Sequence, residues 1–113
     1  MKVNVADLLA AIDGEIVTNT APEELNITGG YVSDLLSDVM GNAREGDLWI
    51  TIMRHLNVVA VASLTGVAAI VFAKGIVPAE AVITKANDEG ICLITSNKET
   101  FDTAGIVYAL LHA

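Results

Sequence analysis

DLWITIMRHLNVVAVASLTGVAAIVFAKG, residues 47–75, decides the fold. It opens with an apolar run, Asp47 to Ile52, too continuous for a strand with one wet face. Asn57 can then cap a short helix, Val58 to Leu64, Gly66 turns the chain, and a second apolar run follows, Val67 to Phe72. Strands buried on both faces and joined by helical crossovers are the mark of a parallel sheet. The pattern continues beyond Gly75: Pro78 suits the first position of a helix reaching Glu89, with Gly90 just past its end. Ile91 to Thr95 reads as a further strand. Ser96 and Glu99 have the spacing of a capping box for a last helix ending near Leu111. The helix Val58 to Leu64 is small and apolar on nearly every side, so it should be pinned between the sheet and another helix or a second subunit.

Upstream the punctuation is less regular. Val5, Leu8, Leu9 and Ile12 recur at helical spacing, with Asn4 placed to cap the start and Gly14 to end the helix. A strand from Glu15 to Thr18 and a polar loop from Asn19 to Glu24 follow. Leu25 to Tyr31 begins as extended chain, but Gly29-Gly30 should break any regular strand. Val32, Leu35, Leu36 and Val39 then predict a helix from Val32 to Met40, stopped by Gly41.

Composition narrows the function. Of 113 residues, 53% are hydrophobic and 18% charged, enough apolar surface for one domain, residues 1–113, and too little polarity for disorder. Aromatics are only 4%, so the core falls to Val, Ile, Leu and Ala. A net charge of -8, with six scattered basic residues, argues against nucleic acid and anionic membranes as partners. No apolar run reaches the roughly 18 residues of a membrane span. No leader pattern is evident, and the lone Cys92 fits a reducing cytoplasm.

The candidate chemistry gathers near the ambiguous segment. There is no GxxxxGK[ST] and no GxGxxG after a strand, so the common nucleotide motifs are missing. Thr28-Gly29-Gly30 remains. Its amides could turn toward one point as an anion nest at a helix N-terminus, or the glycines could simply let the chain enter that helix with positive φ. Tyr31, Ser33 and Asp34 complete the ligand-binding candidates. Asp34 and Asp38 fall on one face of the predicted helix, where paired carboxylates can help hold a divalent metal or can be plain solvated charges. Two are too few for a metal site, and His55 and His112 lack zinc-ligand spacing. Cys92 reads as a core residue, and the serines have no evident histidine partner. Thr95 and Ser96 end a parallel strand, where open α/β sheets bind ligands, although a capping role suits Ser96 better. No catalytic residue, metal or cofactor is assigned.

The runs ITGGYVSDLLSDVMGNAREGDLWIT (27–51), NVVAVASLTGVAAIVFAKG (57–75) and EGICLITSNKETFDTAGIVYALL (89–111) resemble a DRTGG domain, and are similar to the N-terminal domain of HPr kinase/phosphorylase. The Asp and Arg of the naming motif are replaced here by Asn26 and Ile27. The resemblance implies a three-layer α/β sandwich with a mostly parallel central sheet, related to the N-terminal domains of Mur ligases. It also implies a regulatory or assembly module of the kind attached to phosphotransacetylases and CBS-containing pyrophosphatases, without activity of its own. The expected function is therefore a stand-alone regulatory or interaction domain, non-catalytic and homodimeric, sensing a nucleotide or other small anionic ligand and serving a partner enzyme. Two other readings stay open: a small metal-assisted enzyme acting on a phosphorylated substrate, and a purely structural docking partner.

Overall fold

The computed structural model describes residues 1–113. The doubly buried runs become the centre of the sheet: β5 (Asp47–Thr51) and β6 (Ala69–Phe72) are buried at every position. Around them a five-stranded sheet runs in the order β2-β7-β6-β5-β4, with β4 at Gly29–Val32, β7 at Leu93–Ser96 and β2 at Gly14–Ile16. β4, β5, β6 and β7 are mutually parallel, and β2 closes one edge antiparallel to β7.

Each parallel strand lies beside its predecessor, so three crossovers of one hand place their helices on one face. These are α2 (Leu36–Asn42), α3 (Asn57–Thr65) and α4 (Glu80–Glu89). They cover a core of Trp49, Ile70, Phe72 and Leu93, to which they add Val39, Val58, Val82 and Ala86. The strands' alternate residues, Leu48, Ile50, Val71 and Ile94, point to the other face. There α1 (Val5–Ile12) and α5 (Thr100–Leu111) supply Leu8, Ile12 and Val107. The result is the expected three-layer α/β sandwich. A two-stranded ribbon, β1 (Lys2–Asn4) with β3 (Glu24–Asn26), flanks α1. No helix is long and apolar enough to cross a membrane.

Several local expectations hold. Asn4 caps α1, its side chain accepting from the Asp7 amide at 3.0 Å. Gly90 follows α4 as its C-cap. Cys92 is buried, and burial pushes its thiol pKa up. Others are corrected. Gly29 and Gly30 do not break a strand; they begin β4. The helix expected from Val32 starts only at Leu36 and runs through Gly41 to Asn42, leaving Val32 in the sheet and Leu35 exposed. Asp13, not Gly14, takes the left-handed C-cap of α1. Ser96 makes no capping box: Glu99 is the N-cap of α5 and no side chain caps it. Ser96 is buried, and its hydroxyl instead bonds the Ile12 carbonyl, lies 3.3 Å from the Thr103 hydroxyl and accepts from the Lys98 amide. It ties the end of α1 to the start of α5 and is closed to a ligand. α3 is pinned as expected, with Val58, Val59, Val61 and Ala62 buried within the chain itself.

Candidate functional site

The Thr-Gly-Gly triplet sits on the edge strand β4, with β5 on one side and no strand on the other. Neither Gly29 nor Gly30 has positive φ, so they form no anion nest and do not turn the chain into a helix. Extended strand geometry overrides both expectations. The triplet is instead shaped by what lies across the ladder. Gly29 pairs with Asp47, and a Cβ on Gly29 would fall 2.8 Å from Asp47 Oδ1. That carboxylate is buried and held by its other oxygen, which accepts from the Arg44 amide at 2.8 Å. Thr28 donates its hydroxyl proton to the Glu45 carbonyl at 3.0 Å.

Thr28, Gly29, Gly30 and Tyr31 line an open recess of about 600 Å³ together with Asn42, Arg44 and Asp47. Four of the six predicted ligand residues therefore converge. Ser33 and Asp34 do not join them. The Ser33 carbonyl accepts from the buried Trp49 indole at 2.9 Å, and its hydroxyl accepts from the Leu35 amide. Asp34 Oδ1 accepts from the Thr51 hydroxyl at 2.8 Å and the Ile52 amide at 2.9 Å, fastening the loop after β4 to the end of β5. The recess lies at the amino ends of β4 and β5, whereas open α/β sheets commonly bind ligands at the carboxyl ends.

Asp34 and Asp38 are not a pair on one helix face, because Asp34 precedes α2. Asp38 accepts from the Tyr31 phenol, 2.9 Å to each oxygen, and from the Asn42 amide at 3.0 Å. Hydrogen bonding from Ser33 first, then from Tyr31, holds the Asp38 carboxyl below its ordinary pKa against the opposing effect of desolvation. The same Asp38 bond raises the Tyr31 phenol, with desolvation adding to it. No cluster of three or more His, Cys, Asp or Glu is placed to hold a metal ion.

A carboxyl whose pKa is lowered on folding stabilises the native state above its unfolded pKa, and loses that contribution as pH falls through the lowered folded value. Asp38→Asn should thus be less stable than the parent at about pH 6, with the gap narrowing toward about pH 3. Urea midpoints measured at both values check this; a gap independent of pH would mean the carboxylate charge is not what the fold uses.

Sequence reading missed Asn42, Arg44 and Asp47 as recess residues: Asp47 arrives through its pairing with Gly29, and Asn42 and Arg44 from the end of α2 and the connection after it. It also missed a second cavity on the opposite face of β4, about 340 Å³, between Gly29-Gly30 and the C-terminal half of α5. Ile50, Val107 and Leu111 form its apolar wall, with Tyr108 and His112 opposite the glycines.

The sequence profile of the DRTGG domain matches residues 7–110. The chain belongs to the DRTGG domain family. The fold of this DRTGG domain also resembles the crystal structure of the CBS and DRTGG domains of the regulatory region of Clostridium perfringens pyrophosphatase, complexed with its activator diadenosine tetraphosphate. The TM-score is 0.76 at 17% identity, over 92% of this DRTGG domain chain and 45% of that one. At such identity the likeness speaks to the fold. Comparison with curated proteins gives no match.

Proposed function

We propose that this DRTGG domain is a non-catalytic regulatory or interaction domain, which senses a nucleotide or other small anionic ligand in the recess beside β4. It comprises residues 1–113, works in the cytoplasm as a homodimer and acts on a partner enzyme. The kinship with the N-terminal domain of HPr kinase/phosphorylase belongs to the same reading. The observation that carries it is the convergence of Thr28, Gly29, Gly30 and Tyr31 around Arg44. The single ion pair in the chain is Lys85–Glu89, so the Arg44 guanidinium is not tied to a carboxylate. In this reading Arg44 meets the anion at the bare strand edge beside Gly30, while Thr28, Tyr31 and Asn42, whose protons are given to Glu45 and Asp38, shape the recess, and Ser33 and Asp34 hold the strand end in place. The nucleotide-bound regulatory region of similar fold supports the ligand class. A non-catalytic role is supported by the side chains that would do chemistry: those of Ser33, Asp34 and Asp38 are spent on bonds within the fold.

Thermal unfolding with ATP, AMP and diadenosine tetraphosphate tests the proposal. A ligand at about 100 times its Kd adds about 2.7 kcal/mol, which raises Tm by roughly 10 °C in a domain of this size. Arg44→Ala should abolish the rise without lowering the unliganded Tm. No rise with any of the three would remove the sensor reading. It would favour the docking partner instead, for which the exposed Phe101 and Tyr108 on α5 provide a surface. Light scattering checks the homodimer, which requires twice the 11.8 kDa chain mass.

A further inference from the structure

Gly30 is the member of the triplet that the fold leaves unexplained. Its φ is not positive, and a Cβ there would meet only the Leu48 carbonyl oxygen at 3.7 Å, an ordinary contact. Glycine inside a strand weakens it, so its presence marks a place where something approaches the backbone closely. Gly30 shares its side of the sheet with Val32, Leu48 and Ile50, and that side opens into the 340 Å³ cavity beneath α5. A side chain at position 30 would occupy this cavity.

The cavity's opposite rim is aromatic. Tyr108 and His112 stack with ring centres 4.0 Å apart and planes 16° from parallel. His112 Nδ1 lies 2.8 Å from the Tyr108 carbonyl, which fixes the imidazole in that stack. Tyr108 is 65% exposed, so the ring pair stands at the mouth and not in the core. No Lys, Arg, Asp or Glu lines the space. A charged group would find no partner there, whereas a flat uncharged one would find apolar walls, aromatic faces and the open polar edge of β4.

We propose that the cavity between β4 and α5 holds a neutral planar heterocycle of the nucleobase class, seated between the Gly29-Gly30 backbone and the Tyr108–His112 pair. This deepens the sensor reading and rests on it in one respect, that the ligand is of nucleotide class. Both hollows share Gly29 and Gly30 as a wall, so one molecule can straddle the bare strand edge, base on one face and phosphates toward Arg44 on the other.

Titration of the 15N-labelled chain with three probes separates the two claims: adenosine and guanosine, which lack phosphate; tripolyphosphate, which lacks a base; and ATP. At least one nucleoside is expected to shift the amides of Gly30, Tyr108 and Leu111. Gly30→Val should remove that response, and Tyr108→Ala, a change at an exposed site that leaves folding intact, should weaken it about tenfold. Tyr108→Ala, which lies outside the recess, should leave tripolyphosphate binding unchanged. Tripolyphosphate binding without either nucleoside would overturn the cavity proposal and spare the recess. Nucleoside binding without tripolyphosphate would support the cavity and sink the phosphate role of Arg44. Nucleoside binding indifferent to both substitutions would overturn the proposal, as would no binding of any probe, which would take the sensor reading with it.

Discussion

Trp49→Ala is expected to remove about 3–5 kcal/mol of stability, a large share of the roughly 5–15 kcal/mol that a domain holds. Trp49 is fully buried at the middle of β5, the strand flanked on both sides by parallel partners. It packs with Val39, Val58, Ile70 and Phe72, so truncation opens a cavity where the crossover helices meet the sheet. The indole also donates to the Ser33 carbonyl at 2.9 Å, which anchors the exit from the edge strand. Trp49→Phe separates the two contributions: most of the volume stays and the hydrogen bond goes, for a loss of about 1–2 kcal/mol. Trp49 is the sole tryptophan, so the variants must be followed by circular dichroism. With a urea slope of about 1–3 kcal/mol per molar, the alanine variant's midpoint should drop by roughly 2 M. A drop below that of Trp49→Phe would mean that the indole fills no essential volume.

The second half of the chain was legible because burial on both faces leaves little room for another reading. Asp47 to Phe72 carries two apolar runs too continuous for an exposed face, and both became central strands. The stretch from Leu25 to Met40 was not legible for a different reason. Val32, Leu35, Leu36 and Val39 have helical spacing, yet Val32 is drawn into the sheet by pairing with Ile50, and only Val39 is fully buried. Tertiary pairing outweighs local pattern at an edge strand. Gly29-Gly30 looked like a break because glycine usually marks one; what the sequence could not reveal was that Asp47 would lie opposite and leave no space for a Cβ. The candidate site divides the same way. Thr28, Gly29, Gly30 and Tyr31 are contiguous and visible as a motif. Asp47 joins through strand register and holds the Arg44 amide beside it, and Tyr108 and His112 arrive from the far end of the chain by the packing of α5 on the sheet. No local pattern announces either approach.

Gly46→Ala should be the most damaging single methyl that can be added near the recess, by roughly 2–4 kcal/mol. Two effects act together. Gly46 has φ +85, and an alanine Cβ would fall 2.5 Å from Thr28 Oγ1 and 3.1 Å from its Cγ2. Neither side can yield easily. The Gly46 carbonyl accepts from the Thr28 amide at 2.9 Å, and its own amide donates to the Gly66 carbonyl at 2.9 Å. Thr28 could rotate away only by releasing the Glu45 carbonyl. Gly90→Ala supplies the control, since Gly90 has φ +71 with nothing within 4 Å, and should lose only the conformational part, about 1–2 kcal/mol. Adding Thr28→Ala to Gly46→Ala removes the obstructing atoms, so the pair should fall short of additivity by about 1 kcal/mol or more. Urea midpoints for the four variants decide it. If Gly46→Ala is no worse than Gly90→Ala, Thr28 is not locked against Gly46. If the lock holds, Thr28 and Gly29 are fixed by packing against Gly46 and Asp47, and Gly30 alone in the triplet is left free to serve a ligand.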